Sequence, residues 1–224
     1  MVDSPAVARA LCFFALAACS APSTTSTPDA PTETWARYAI AAGAHGAHVL
    51  DAIPRNPIQG VTDVIGRDYE LVLDPSAIYT LAEEPNDQLD WNKLPGFSDC
   101  GEIDLSRDGA MFGWRWRPEL GVLELAAYAN NAGVHLDAGV LATLDAEDLA
   151  ARVPLRYRVW REPTTYRFEL AGEARGRLIA ANATLPRRCV DEPLDPLAWA
   201  GAFYFGGTST APHEITAQIR ERVF

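Results

Sequence analysis

Three successive runs with a period of two constrain this chain more than any other feature. In residues 110–117, Phe112, Trp114 and Trp116 alternate with Gly113, Arg115 and Arg117. Residues 122–129 set Leu123, Leu125 and Ala127 against Glu124, Ala126 and Tyr128. From residue 134, Val134, Leu136, Ala138 and Val140 oppose His135, Asp137 and Gly139. Successive side chains of a strand point to opposite faces, so each run buries one face and shows the other. Residues 118–121 and Asn130-Asn131-Ala132-Gly133 have the composition of turns. The three runs therefore read as an antiparallel meander.

The rest of the chain follows the same pattern. Tyr157 and Val159, a turn at Glu162-Pro163, and Tyr166, Phe168 and Leu170 form a second hairpin. Further strands are expected at 35–41, 47–51, 69–73, 177–183, 201–205 and 214–222, with one or two helical turns at 146–151. Strands with one apolar face each must cover one another. The expected fold is all-β, an antiparallel two-sheet sandwich of jelly-roll type, with a closed β-barrel as the alternative.

If both turns of the meander hold four residues, Arg115 stands across from Glu124 and Tyr128 across from His135, with Asp137 and Arg117 on the same face. In the second hairpin Arg156 would stand across from Glu169. Cross-strand neighbours lie about 5 Å apart, so Arg115, Glu124, Tyr128 and His135 form a candidate ligand-binding face. Arginine forks grip carboxylates and sulfates, and adjacent tyrosine and histidine side chains can serve as acid and base. The alternative is a solvated face joined by cross-strand ion pairs, each contributing under about 1 kcal/mol. Trp91 and Lys93, in the long loop 87–108, join the candidate set because long loops at sheet edges often carry function. Asp99, Glu102, Asp104 and Asp108 could offer oxygens to calcium, but their spacing matches no calcium loop. No other cofactor and no metal site is expected. His213 shares parity with Ile215 and Ile219 and reads as a near-core histidine.

The net charge is −11, which argues against nucleic acid or anionic lipid as the main partner. Lys93 is the only lysine beside eighteen arginines, a bias that reads as coding composition. Cys100 and Cys189 are expected to form a disulfide, the simplest fate of an isolated pair in an oxidising compartment. Neither has the close cysteine or histidine partner that a zinc site requires.

The compartment comes from the N-terminus. Residues 10–18 are apolar, too short for the roughly 20 residues of a membrane span, and follow Arg9. They end in Leu16-Ala17-Ala18-Cys19, which resembles the lipobox of bacterial lipoproteins. That resemblance implies a signal peptide at 1–18 containing Cys12, and acylation of Cys19. Residues 19–34 are then a Pro/Ser/Thr-rich tether and 35–224 one domain of about 190 residues. The implied location is the bacterial cell envelope, outside the cytoplasm. Ser20 after the anchor favours the outer membrane in a cell that has one.

The stretches DWNKLPGFSD (90–99), FGWRW (112–116), LELAAYANNAG (123–133) and YFGGTSTAPHEI (204–215) together resemble a group of uncharacterised envelope lipoproteins. The resemblance implies a compact extracytoplasmic domain and carries no catalytic residue across. A G-x-S-x-G elbow and a phosphate loop are both absent from the sequence. The leading expectation is a binding or accessory module contacting carbohydrate. A polysaccharide lyase or hydrolase, or a structural subunit with an envelope protein as partner, are the competing classes. Cys19→Ala is expected to release the protein from membranes, and unchanged membrane fractionation would refute the anchor.

Overall fold

A computed structural model describes residues 35–50, 59–62, 65–189, 197–201 and 203–222. In chain order the strands are β1 (Ala36–Ile40), β2 (Ala47–Val49), β3 (Gln59–Thr62), β4 (Gly66–Leu73), β5 (Asn92–Lys93), β6 (Phe97–Ser98) and β7 (Gly109–Arg117). They continue with β8 (Val122–Asn131), β9 (Val134–Asp145), β10 (Pro154–Arg161), β11 (Thr165–Ala174), β12 (Arg177–Pro186), β13 (Leu197–Ala200) and β14 (Ile215–Arg222). A short helix, α1 (Ala146–Ala150), follows β9. Its N-terminus is fixed by a capping box between Asp145 and Asp148.

One sheet runs β12-β11-β10-β4-β14-β1-β2 and the other β3-β13-β6-β7-β8-β9, with β5 also paired to β7. Every pairing is antiparallel. Neither sheet closes on itself, so the fold is the two-sheet sandwich and the closed barrel is ruled out.

The apolar positions of the meander meet those of the first sheet. Phe112, Trp114, Trp116, Leu123 and Leu125 share one core with Leu71, Tyr157, Phe168, Leu170 and Ile219. Phe112 packs against Tyr157 and Phe168 at centroid distances of 5.1 and 5.5 Å, and Trp114 stacks on Phe203 at 5.4 Å. Tyr157, fully buried, donates its hydroxyl to the Pro95 carbonyl at 3.1 Å, which satisfies its one polar atom.

Registers depart from expectation at two turns. Residues 118–121 do connect β7 to β8 with Arg115 across from Glu124. The next turn contains only Ala132 and Gly133, both at positive φ (53° and 79°), the two-residue hairpin geometry. Tyr128 therefore pairs with Asp137, and His135 with Asn130, rather than Tyr128 with His135. The turn after β10 likewise lies at Pro163 and Thr164, so Glu169 faces Arg158, and Arg156 pairs instead with Asp68 of β4. The expected strand at 201–205 is a single bridge at Tyr204, the strand itself lying at Leu197–Ala200. Strands β3, β5 and β6 had no signal in the alternation. Residues 1–34, including Cys12 and Cys19, and Asp51 lie outside the described residues.

Cys100 and Cys189 are joined as a disulfide. Beside it the fully buried Asp99 accepts from Arg161 Nη1 at 2.7 Å, from the Tyr166 hydroxyl at 2.9 Å and from Arg187 through Nε and Nη2. The four acidic residues of this loop do not converge on a cation site. Asp108 is held by Arg188 and the Ala132 N–H, Glu102 by Arg107, and Asp104 by the Ser106 N–H. His213 is exposed, with Nε2 2.8 Å from the Ser76 carbonyl, and not in the core.

Burial alone would raise the Asp99 carboxyl, but the bonds from Arg187 and the Cys100 N–H and the charge of Arg161 hold it below the usual range. A carboxyl lowered on folding stabilises the protein above its unfolded value of about 3.9 and loses that contribution as pH falls through the folded value. Asp99→Asn removes the carboxylate charge that two buried guanidinium groups share. It is expected to cost about 3–5 kcal/mol, lowering Tm by roughly 10 °C in thermal unfolding. A change under about 2 °C would contradict the role given to this cluster.

Candidate functional site

On the face of β7 and β8 turned away from the main core, Gly113 and Ala126 stand opposite each other. A side chain at Gly113 would meet the Trp91 ring at 3.1–3.2 Å, so the missing Cβ leaves the place that this ring occupies. Trp91, Met111, Ala126 and Tyr128 form a second, smaller apolar cluster there. The guanidinium of Arg115 lies over the Trp91 ring, 3.9 Å from a ring centroid. Trp91 is 6% exposed and is the floor of this site, so its ring is not free to stack on a ligand.

Strand β5 alternates as its neighbours do. Asn92 points inward, donating to the Tyr79 hydroxyl at 2.9 Å and accepting from the Gly206 N–H at 2.7 Å. Lys93 points outward with Trp91, pairs with Gly113, and sends its ammonium back to the Trp91 carbonyl at 2.6 Å. Nζ stands 5.0 Å from the centroid of the Tyr128 ring. Gly206 makes this path possible, because a Cβ there would lie 2.1 Å from the Trp91 carbonyl oxygen and 2.8 Å from Lys93 Nζ.

The shifted register of β9 still brings His135 to Tyr128, on the diagonal. Their rings stack with centroids 5.1 Å apart and 7° between planes. Asp137, directly across from Tyr128, accepts from the Gly139 N–H at 2.9 Å and from Trp91 Nε1 at 3.3 Å, and lies 3.3 Å from His135 Nε2. Gly139 takes φ 77° beside the bulge that lets β9 bend here.

Two arginines are spoken for. Arg115 Nε donates to Glu124 at 2.7 Å and its Nη1 to the Leu89 carbonyl at 2.5 Å; Arg117 donates to the same carboxylate at 3.2 Å and pairs with Glu119. Glu124, 5% exposed, is consumed by this fork. All six residues expected from the sequence thus gather on one face. Arg115, Glu124 and Trp91 are committed to internal contacts; Tyr128 is buried in contact with Lys93 and His135, Lys93 is half-buried, and His135 is exposed. Asp90, Gly113, Gly206, His45 and Tyr204 belong to the neighbourhood as well. Only Gly113 left a trace in the sequence, as the gap in an otherwise bulky strand.

Electrostatics divide the cluster. Burial pushes the Tyr128 phenol up to about 12, with the charges of Asp90 and Asp137 adding to the effect. Burial lowers the Lys93 ammonium below its usual range, against the opposing charge of Asp90. For Asp137, burial is outweighed by the bonds from Gly139, His135 and Trp91, which hold the carboxyl low. An amine that gives up its proton more readily therefore lies over a phenol that holds its own. An open groove of about 380 Å³ between β9 and β12, lined by Val140, Leu141, Arg177, Leu178 and Ile179, contains none of these candidate residues.

Gly206→Ala is expected to cost about 1–3 kcal/mol by forced overpacking, read as a lower midpoint in denaturant unfolding. Unchanged stability would mean that Lys93 does not follow this path.

No family model matches the chain, and no curated protein matches it. Among solved structures it is similar to a mutant of the alginate lyase Aly36B in complex with an alginate trisaccharide, at TM-score 0.48 and 11% identity over 84% of this chain and 81% of that one. It is also similar to an alginate lyase from Klebsiella pneumoniae, at TM-score 0.47 and 12% identity over 70% and 58% of the two chains. A third is the alginate lyase vAL-1 from Chlorella virus, at TM-score 0.41 and 11% identity over 84% of each.

Proposed function

We propose that this chain is a lipid-anchored β-sandwich module of the bacterial envelope that contacts carbohydrate through the outer face of β5, β7, β8 and β9. The observation that carries the reading is the fixed arrangement of Lys93, Tyr128 and His135 above Trp91. The two stacked rings and the ammonium are held by packing below and by Asp137 at the side. Sugars are bound by flat apolar surfaces with polar groups at their edges, and a site whose side chains are already immobilised loses little freedom on binding. Anchoring at Cys19, and with it the envelope location, rests on the N-terminal sequence.

A second reading is an enzyme, a lyase or hydrolase acting on the same ligand. One observation favours it: Tyr128 and Lys93 are neighbours whose surroundings push their proton affinities in opposite directions, an arrangement that suits acid and base work. Tyr128 would then be the proton donor to a leaving oxygen, and His135 or Lys93 the group that accepts a proton from the sugar ring.

The test is a thermal-shift screen of the full-length chain in detergent against neutral and anionic polysaccharides, with and without calcium. A ligand at 100 times its Kd adds about 2.7 kcal/mol, which raises Tm by roughly 5–10 °C. Absence of a shift with every sugar would overturn the carbohydrate reading and favour a protein partner. With a ligand in hand, absorbance of unsaturated product decides between module and lyase. Tyr128→Phe is expected to abolish turnover while binding persists only if the second reading holds.

A further inference from the structure

On the side of Lys93 away from Tyr128 lies a second pair of rings. Tyr204 and Lys93 are directly opposed: the Lys93 N–H donates to the Tyr204 carbonyl at 2.8 Å and the Tyr204 N–H to the Lys93 carbonyl at 3.0 Å. Residues so paired in antiparallel strands share a face, with Cα atoms about 5.5 Å apart. The Tyr204 ring is 40% exposed and stacks on His45, with centroids 5.4 Å apart and 13° between planes. His45 is itself fixed, since its Nδ1 lies 2.9 Å from the Phe205 carbonyl and its own carbonyl accepts from the Phe205 N–H. Tyr204 is therefore an exposed aromatic surface held in place from behind.

Lys93 sits between the two stacked pairs. One of its three donors goes to the Trp91 carbonyl, and no carboxylate among the described residues lies within ion-pairing distance of Nζ. The other cations of this face, Arg115 and Arg117, have their counter-charges in Glu124 and Glu119. Partial burial of an ammonium with no carboxylate in direct contact is costly, and the more distant charge of Asp90 and a ring face compensate only in part. A ligand carboxylate would supply a counter-charge in direct contact with Nζ, whereas a hydroxyl would supply only an acceptor.

We infer that Lys93 and the Tyr204–His45 shelf form a subsite for a uronate residue, the sugar ring lying on Tyr204 and its carboxylate meeting Lys93 Nζ. The inference rests on the carbohydrate reading and names the sugar class. The carboxylate of a uronate projects from the ring edge, which matches a cation one strand over from the stacking ring. A net charge of −11 gives a polyanion no long-range attraction, so selectivity for acidic sugar comes from this contact.

The experiment is calorimetric titration of the full-length chain in detergent with a short oligouronate, and with the same oligosaccharide after its carboxyl groups have been reduced to primary alcohols. The wild-type chain is expected to bind the oligouronate at least about tenfold more tightly, as one charge-assisted hydrogen bond warrants. Lys93→Gln is expected to bring that ratio close to one, and Tyr204→Ala to weaken both sugars together. Equal binding of the two sugars by the wild-type chain overturns the uronate subsite and leaves the carbohydrate reading standing. Binding of neither overturns the uronate subsite, and the polysaccharide screen then decides the carbohydrate reading separately. The wild-type comparison decides the matter even if a variant folds poorly.

Discussion

The contact between the Trp91 ring and the bare backbone at Gly113 sets the character of the second sheet. Strands β7 and β8 are buried along nearly their whole length, which a half-exposed antiparallel sheet does not require. The main core covers one face; the segment through Trp91 covers the other, and can lie close only because Gly113 offers no Cβ. Arg115 seals the ring from outside and draws its own counter-charge, Glu124, into the interior. Strand β5 is held by the same contact, and with it the direction in which Lys93 leaves the backbone.

Arginine is the second theme. Asp68, Asp99, Asp108, Asp148 and Glu124 are buried, and each is gripped by one or two guanidinium groups. The planar fork meets both oxygens of a carboxylate and is less strongly hydrated than an ammonium, so it suits buried pairs where lysine does not. An arginine bias that composition alone attributes to coding is here a set of struts between strands. Lys93, the exception, is also the cation of the outer face with no carboxylate within ion-pairing distance among the described residues.

The sequence made legible whatever depends on neighbours a few residues apart. The faces of β7, β8, β10 and β11 follow from period-two alternation, and the disulfide from the count of cysteines. Which turn joins two strands is a finer matter: Ala132 at positive φ makes a two-residue turn from a stretch whose composition suggested four, and Tyr128 gains Asp137 as its direct neighbour. What the alternation could not carry is the covering of the outer face. Asn92 meets Gly206 across 114 residues and His45 meets Phe205 across 160, so the His45–Tyr204 pair beside Lys93 has no local signature. The same holds for Arg187 and Asp99, 88 residues apart.

The scarcity of lysine has a practical meaning. Lys93 is the one side-chain amine in the sequence, and it stands at the centre of the outer face. An amine-directed reagent can modify no other side chain of that class. The rate at which it labels a side chain of the unaltered protein therefore reports on this site alone, and anything seated between Tyr128 and Tyr204 would slow it. A single chemical footprint thus measures occupancy of the face without a substitution anywhere in the chain.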